Sequence, residues 1–331
     1  MFYKDKIYGE IDITEPVILD LINSLSMERL KGVSQHGHYE PYFPKTDFSR
    51  FEHSLGVFIL LKKYGAPILE QIAGLLHDVS HTAFSHVADY VFHDGSGKYQ
   101  NFQDEELEGF IGNSEIPGIL QKYGINYREV LDDSKHPLKE KELPDLCADR
   151  IDYFLREAKN LKKASQEEVD EFLGNFMIVD GFWVFRDRAL AKKYAYLFLD
   201  VNNSFWANLE TGVMFKTMGE LLKYAVEKKI IIREDFFRTD REVWDKIRPH
   251  QGADSHLKLL LDRADNKYEF TMGGNDNYDL HALCKSRAVD PFFISEEKLT
   301  RLSEVDKEFA RMKEEASEPK EYYIKFLELR K

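Results

Sequence analysis

The chain has 331 residues, of which 59 are Asp or Glu and 46 are Lys or Arg, so its formal net charge is −13. This charge excludes broad, sequence-independent binding to nucleic acid, which depends on basic patches. It allows a small phosphate-bearing ligand, because a metal ion or a few arginines can set a local field of opposite sign. Hydrophobic residues make up 43% of the chain, enough to bury a core, so wholesale disorder is also excluded.

The chain begins without the basic and apolar stretches of a secretory signal. Its longest apolar runs, such as Gly56–Leu61, span about six residues, whereas a membrane-spanning helix needs about twenty. The two cysteines, Cys147 and Cys284, are too few for a disulfide framework and are typical of a reducing compartment. We therefore expect a cytoplasmic protein with no membrane segment.

Apolar residues recur at helical spacing along most of the chain, beginning where Pro16 opens a pattern that reaches Leu30. Residues 32–49 and 129–142 are predicted to be loops, and Asp94–Gly97 is predicted to be a turn. The further predicted helices span residues 53–63, 67–78, 83–92, 103–113, 144–161, 188–207, 211–228 and 296–329.

The strongest strand signal is a β-hairpin, in which Met177–Val179 and Phe182–Phe185 flank the turn residues Asp180–Gly181. A further strand is expected at Arg287–Ile294. The charged stretch 296–329 is interpreted as a solvated helix rather than as a partner-binding surface. The sequence thus predicts a mainly α protein with small β-hairpins in its C-terminal half.

One stretch concentrates histidine and aspartate: His77 and Asp78 directly follow the apolar run Ile72–Leu76. Burying a charged aspartate beside an imidazole is unfavourable unless both are paired, and a divalent cation would pair with both. If the helix continues, His81 lies one turn beyond His77 on the same face. Taken alone, each such residue is more often a hydrogen-bonded part of the core.

Two further motifs flank this pair in the sequence: RFEHSLG at Arg50–Gly56 and ADRIDY at Ala148–Tyr153. Together with IAGLLHDVSHTAFSH at Ile72–His86, they resemble the HD-domain metal phosphohydrolase superfamily, in which an H…HD…D pattern supplies the ligands of one divalent metal. The motifs RFEHSLG and IAGLLHDVSHTAFSH are also similar to the deoxynucleoside triphosphate triphosphohydrolase branch. The resemblance covers about residues 5–165 and continues more weakly to about residue 250.

The resemblance implies an HD-domain helical bundle at residues 1–170, and a helical or mixed part at residues 171–331 that packs on this core and does not fold independently. It also implies a site for one divalent transition metal. Two imidazoles and two carboxylates suit Mn, Fe, Zn or Ni and leave positions for water and a phosphate oxygen, while Mg could accompany the substrate. The implied metal ligands are His53, His77, Asp78 and Asp149.

The resemblance places His81, His86 and Asp89 in the catalytic pocket, where one of them would give or accept a proton during hydrolysis. We favour His81 for this role, with Asp89 as the group that orients it; packing beneath the metal site is the alternative. His81 and His86 could also share in a second metal, although Gln103 stands near the position where some relatives have another histidine.

Five residues match positions that contact substrate in the resembled branch. Two are arginines, which stay charged and bind phosphate oxygens in pairs. The glutamine matches a contact to the sugar, and the tyrosine would stack on the ligand or hydrogen-bond it. Structural or solvated roles are the alternatives. These residues are Gln35, Arg50, Arg150, Tyr153 and Glu157.

Three departures from the branch surround the expected sugar and outer phosphates. His36 stands where the branch has an apolar residue that helps to exclude ribose, and Glu157 stands where it has the shorter Asp. The stretch Asp200–Trp206 lacks the arginines that contact the triphosphate. These changes bear on the choice of substrate more than on the metal centre.

Three functions therefore stay open. The first is a metal-dependent phosphohydrolase of nucleotides, most directly one that converts a dNTP to deoxynucleoside and triphosphate. The second is a phosphodiesterase or nucleotidase acting on another phosphoester. The third is a non-catalytic HD protein that binds a ligand. The expected partner is a small-molecule nucleotide, without a membrane and without strong nucleic-acid binding. A homo-oligomer is allowed, because relatives commonly self-associate.

Overall fold

A computed structural model describes residues 1–92 and 101–330, and the predicted turn at Asp94–Gly97 lies outside them. The described residues form sixteen α-helices and nine short strands, so the prediction of a mainly α protein is confirmed. The first elements are β1 (Phe2–Asp5), β2 (Gly9–Asp12), α1 (Pro16–Ile22), α2 (Leu25–Arg29), α3 (Arg50–Lys63), α4 (Ile68–Leu76), α5 (Val87–Phe92), α6 (Phe102–Gly112), α7 (Ile116–Gln121), α8 (Tyr127–Val130) and α9 (Ala148–Asn160).

Helices continue in the second half of the chain, where most of the strands also lie. These elements are α10 (Gln166–Asn175), β3 (Phe176–Val179), β4 (Phe182–Phe185), α11 (Arg188–Val201), α12 (Leu209–Glu227), α13 (Asp240–Ile247), α14 (Ser255–Ala264), β5 (Tyr268–Met272), β6 (Leu280–Cys284), β7 (Phe292–Ser295), β8 (Lys298–Arg301), α15 (Leu302–Val305), α16 (Lys307–Ser317) and β9 (Lys320–Leu329).

The strands of the described residues make three small sheets. One is the antiparallel pair β1–β2, the second has the order β3-β4-β7-β8, and the third has the order β5-β9-β6. All neighbouring strands are antiparallel except β4 and β7, which are parallel. The pair β1–β2 lies outside the C-terminal half and was not predicted, because half of the residues in its four-residue strands are charged and most are exposed.

The predicted hairpin is confirmed as β3 and β4, with Met177 opposite Val184. Asp180 and Gly181 connect the strands with φ angles of 50° and 75°. Positive φ at both positions is the type I′ turn, whose twist matches that of the paired strands. The indole of the buried Trp183 donates a hydrogen bond of 3.0 Å to the carbonyl oxygen of Leu138, which ties the hairpin to the core.

The predicted helix at residues 296–329 is wrong, since β8, the short helices α15 and α16, and β9 occupy this stretch. In β9, Ile324 and Phe326 are buried, whereas Glu321 and Leu327, of opposite parity, are exposed. This alternation is the period of a strand. The many Lys and Glu residues of the stretch resemble a helical composition and hide that period.

Several predicted boundaries also differ from the structure. Helix α4 ends at Leu76, and residues 77–86 form turns before α5 begins at Val87. Phe84 and Ser85 have φ angles of 59° and 50°, which a continuous right-handed helix does not allow. The expectation that His77 and His81 share one helix face is therefore wrong. The strand expected at Arg287–Ile294 pairs only from Phe292 onward, as β7.

The largest hydrophobic core joins the two predicted parts of the chain. Phe154 of α9 packs against Tyr194 and Phe198 of α11, with ring centroids 4.6 and 5.0 Å away, and all three are fully buried. Trp206 packs on Phe198 at 4.9 Å. Residues on both sides of position 170 thus fill the same core.

The core closest to the N-terminus lies between α1, α3 and α4. Gly74 of α4 allows a close approach to α3, because a Cβ atom at this position would lie 2.4 Å from Cδ1 of Leu61. Helix α3 begins with a capping box, in which Ser49 Oγ accepts from the Glu52 N–H at 3.2 Å and the Glu52 carboxylate accepts from the Ser49 N–H at 2.9 Å.

None of the helices in the described part of the chain combines the length and apolar character needed to cross a bilayer.

The shared core leads to a first prediction, about residues 1–170 expressed alone. We expect this fragment to lack a cooperative thermal transition, because Phe154 and its neighbours would lose the side chains that cover them. Near-UV circular dichroism and calorimetry, with the full chain as reference, measure this. A sharp transition with native-like near-UV signal would show that residues 1–170 fold independently.

Candidate active site

Three helix ends bring a cluster of possible metal donors together. His53 lies in the first turns of α3, His77 directly follows α4, and Asp149 lies in the first turn of α9. His53 Nε2 lies 2.8 Å from Asp149 Oδ1 and 3.2 Å from His77 Nε2. His77 Nε2 lies 3.3 Å from Asp149 Oδ1. Donors bound at about 2.1 Å from one ion and at right angles lie about 3 Å apart. The three donors therefore fit a divalent transition metal.

The other ring nitrogens of both histidines are held by the protein. His53 Nδ1 donates to Asp152 Oδ2 at 2.8 Å, and His77 Nδ1 donates to the Gly74 carbonyl oxygen at 2.8 Å. Such contacts fix the ring orientation and leave Nε2 of each imidazole for the metal. Asp152 was not predicted as a site residue, although its spacing of three residues from Asp149 on a helix places both on one face.

Asp152 is itself fixed by a buried network. Tyr8 donates its hydroxyl to Oδ1 at 2.8 Å, and Arg156 Nε donates to Oδ2 at 2.8 Å. The same guanidinium binds Asp5 Oδ2 at 2.8 Å. Gly56 faces this network, and a Cβ atom there would lie 1.9 Å from Asp152 Oδ1. The glycine of RFEHSLG thus makes room for the carboxylate that orients His53.

The electrostatics of the cluster favour a cation. Burial lowers the pKa of His53, but the hydrogen bonds to Asp149 and Asp152 outweigh burial and raise that pKa to about 10. Burial also lowers the pKa of His77, while the charges of Asp78 and Asp149 raise it above its usual value. Metal ligation needs neutral imidazoles, so an ion would take the place of the two protons.

Asp78 lies beside the three donors. Its Oδ2 is 3.6 Å from His53 Nε2, and its Oδ1 is 3.5 Å from His77 Nε2. Burial raises the pKa of Asp78, but the Arg50 guanidinium, 2.6 Å from Oδ2, outweighs burial and holds that pKa well below its usual range. Asp78 is therefore an ionised carboxylate and the fourth candidate ligand. Its role as a ligand stays a prediction.

The three residues expected in the catalytic pocket lie near one another. His81 Nε2 is 3.3 Å from Asp78 Oδ1, and its ring centroid is 5.1 Å from that of His86. Asp89 Oδ2 lies 3.6 Å from His86 Nδ1, so the structure places it as an orienting partner of His86, where we expected His81. Burial lowers the pKa of His81 to about 3 and also lowers that of His86. Both rings are thus neutral at neutral pH, and His81 is a weak base.

The two arginines expected to contact phosphate already have partners. Besides binding Asp78, Arg50 donates to Ser85 Oγ and to the Gln35 carbonyl oxygen, both at 2.9 Å. Arg150 donates both terminal nitrogens to the Lys141 carbonyl oxygen at 3.2 Å and one of them to the Asp145 carbonyl oxygen. These contacts brace the loop that leads into α9.

Two adjoining cavities lie beside the donor cluster, and only the outer one is lined by donors. The outer cleft, about 1460 Å³ with its open mouth, is lined by His77, Asp78, His81 and Asp149, and also by Gln103. The inner pocket, about 590 Å³ on the same measure, lies deeper. The residues that line both are Gln35, Arg50, His86, Tyr153, Lys285 and Arg287.

The inner pocket combines aromatic rings with buried polar groups. Trp206 Nε1 donates to Glu157 Oε2, and the other oxygen of Glu157 is 3.2 Å from His36 Nε2. Burial raises the pKa of Glu157 well above its usual value and lowers that of His36 well below its own, so the two form a neutral pair. Gln35 Oε1 is buried and has no hydrogen-bond partner among the described residues.

Two residues that line both cavities were not predicted from the sequence. Lys285 and Arg287 follow β6 in the C-terminal half, where the resemblance is weak. The signal that could have found them is their i, i+2 spacing, which places both side chains on one side of an extended segment. Their neighbours Ser286 and Ala288 are buried on the other side.

Comparison with known proteins agrees with this geometry. The HD domain family matches residues 50–157, which contain all four predicted ligands. The chain belongs to the HD-domain family. It is 35% identical over 330 residues to the uncharacterized protein YdhJ of Bacillus subtilis, and the match covers 99% of both chains.

Further relatives extend the comparison. The chain is 29% identical over 296 residues to the metal-dependent phosphohydrolase cns2 of Cordyceps militaris, covering 87% of this chain and 83% of that one. It is 31% identical over 147 residues to the deoxynucleoside triphosphate triphosphohydrolase SAMHD1 of Gallus gallus, covering 38% of this chain and 24% of that one. A solved phosphohydrolase structure from Bacteroides thetaiotaomicron is 16% identical to this chain and shares its fold, with a TM-score of 0.76. The match covers 99% of this chain and 100% of that one.

The packing around Gly56 leads to a prediction for Gly56→Ala. We expect a loss of about 1–3 kcal/mol of unfolding free energy, because the added methyl displaces Asp152. Metal affinity should fall about 10–100-fold, since His53 loses its orienting carboxylate. Calorimetry and metal titration measure both. Gly109→Ala is the matched control, because a Cβ atom at this exposed helical position meets nothing within 4 Å; equal effects of the two substitutions would contradict the packing argument.

The neutral pair in the inner pocket leads to a pH prediction for Glu157→Gln. The pKa of Glu157 is raised in the folded protein, so the folded state binds the proton more tightly and stability declines as pH rises above the ordinary Glu range. The amide cannot ionise. The variant should therefore gain stability relative to the native protein between pH 5 and pH 9, as measured by thermal unfolding. The exposed Glu314→Gln serves as control, and parallel pH profiles for all three proteins would rule out a buried neutral carboxyl.

Proposed function

We propose that this HD-domain protein is a metal-dependent phosphohydrolase that acts on a nucleotide. The observation that carries the proposal is the set of three donors, His53, His77 and Asp149, whose spacing and oriented rings fit one divalent ion. These donors line or adjoin a cleft that continues into an aromatic, polar pocket. A purely structural cluster would have no need of such an access route.

The roles follow from the positions of the side chains. His53, His77 and Asp149, with Asp78 beside them, would hold a Mn, Fe, Zn or Ni ion, whose chemistry is to polarise a phosphoryl oxygen and to lower the pKa of water. His86 lines both cavities and is neutral, so it can take a proton from the attacking water or return one to the leaving group. His81 lies closer to Asp78, but a pKa of about 3 makes it a weak base.

The inner pocket supports a nucleoside as the organic part of the substrate. Gln35 Oε1 is buried without a partner, so a sugar hydroxyl can donate to it. The rings of Tyr153 and Trp206 can contact a base or sugar. With the similarity to SAMHD1, these features favour a dNTP, hydrolysed to deoxynucleoside and triphosphate.

A second candidate function is the hydrolysis of a phosphomonoester or phosphodiester of a ribonucleoside. The observation that favours it is the polar pair of His36 and Glu157 inside the pocket. These two groups can accept and donate hydrogen bonds to a further hydroxyl, where an apolar side chain would exclude one.

The test is chromatographic product analysis with Mn²⁺ or Mg²⁺ and a panel of dNTPs, NTPs, nucleoside monophosphates, cyclic nucleotides and a generic phosphodiester. We expect turnover of at least one nucleotide by the native protein, lost on chelation and restored by metal. His53→Ala should reduce turnover more than about 100-fold, because it removes a ligand. His281→Ala is the matched control, because His281 is 38% exposed on β6 and pairs with Glu321 outside the site.

The products decide between the candidates. Deoxynucleoside with triphosphate supports the first, and release of phosphate or cleavage of a diester supports the second. A bound nucleotide that survives incubation with metal would instead show a non-catalytic HD protein. Absence of turnover across the panel by protein shown to contain metal would contradict the proposed function.

A further inference from the structure

Lys285 and Arg287 form a pair of cations where the outer cleft meets the inner pocket. Both are half-buried and line both cavities. The segment that carries them is fixed: the Arg287 N–H donates to Asn202 Oδ1 at 2.8 Å, and Asn202 Nδ2 donates to Ser286 Oγ at 2.9 Å. Ser286 in turn donates to the Ala316 carbonyl oxygen at 2.6 Å. The backbone therefore holds the two side chains on the cavity side.

Neither cation forms a close ion pair within the described chain, and Asp104 and Asp89 act on Lys285 only from beyond ion-pair distance. Over residues 1–92 and 101–330, neither side chain forms an ion pair or a hydrogen bond with an acidic group. The charge of Arg287, together with burial, lowers the pKa of Lys285 to about 8, as expected for like charges placed side by side. Two neighbouring half-buried cations are unfavourable unless an anion binds between them.

Other cations of the cleft are already committed to the protein. Arg50 binds Asp78, Ser85 and a carbonyl oxygen, and Arg150 binds carbonyl oxygens of the loop before α9. Lys139 binds Asp133. Lys285 and Arg287 therefore differ from these cations. Their charged groups line the cleft and have N–H donors available for a ligand.

Resting on the proposed function, we propose that Lys285 and Arg287 bind the phosphate chain of the nucleotide, beyond the phosphorus that reacts at the metal centre. Residues i and i+2 of an extended chain are separated by about 6.6 Å, so the two heads can contact oxygens of successive phosphates. Gln35, with its unpaired Oε1, lines the same wall and holds the nucleoside end of the same ligand. The C-terminal half thus completes the substrate site.

The experiment measures binding without catalysis. The affinities of inorganic tripolyphosphate, pyrophosphate and orthophosphate for the full chain, without added metal, are determined by calorimetry. We expect tripolyphosphate and pyrophosphate to bind more tightly than orthophosphate. Lys285→Met and Arg287→Met should each weaken tripolyphosphate binding by about tenfold or more, while Lys285→Arg and Arg287→Lys should stay within about threefold of the native protein.

Matched controls remove a cation elsewhere. Lys298→Met on exposed β8 and Arg241→Met, whose side chain is 90% exposed, should leave the affinity unchanged. For a nucleotide that the native protein hydrolyses, Lys285→Met and Arg287→Met should raise KM about tenfold with little change in kcat. Thermal unfolding of each variant shows whether it folds, and the charge-retaining variants keep the test decisive if a Met variant does not.

The outcomes separate this inference from the proposed function. Unchanged tripolyphosphate affinity in both Met variants, or orthophosphate binding as tight as tripolyphosphate, overturns the inference even if nucleotides are hydrolysed. Loss of tripolyphosphate affinity in the Met variants supports it even if the native protein hydrolyses nothing, in which case only the proposed function fails.

Discussion

The buried imidazole of His53, held between the carboxylates of Asp149 and Asp152, is the interaction on which the rest of the site depends. Burying charged groups is costly unless every one has a partner, and the fold supplies those partners. Arg156 and Tyr8 hold Asp152. The short β1–β2 hairpin, whose strands are largely exposed, therefore supports the orientation of a ring that lies on α3.

The arginines nearest to the donors have partners within the protein, and the predicted contact of either with phosphate stays a prediction. Arg50 lies against Asp78 and keeps it ionised, and Arg150 fixes the loop that sets the position of Asp149. Such contacts position groups and balance charge within the protein. The further charge that we propose for an anion comes from Lys285 and Arg287, which line both cavities.

The sequence predicted the donors better than the wall that faces them. His53, His77 and Asp149 could be proposed because each lies in a short motif, and the structure brings the three together; their role as ligands stays a prediction. The path of residues 77–86 could not be predicted, since Phe84 and Ser85 take positive φ angles and hydrogen-bond to the distant Asp240 and Ser34. The distant Lys285 and Arg287 join the site through core packing and strand pairing, which no local pattern encodes.

The position of β9 has a consequence for synthesis of the protein. This strand, at residues 320–329, lies between β5 and β6 in its sheet, and the segment that carries Lys285 and Arg287 leaves directly from β6. In N-to-C synthesis the residues of α3, α4 and α9 leave the ribosome first. The middle strand that holds β6 arrives about thirty residues after Arg287, so all the donor residues are synthesised well before the segment with Lys285 and Arg287 can be fixed.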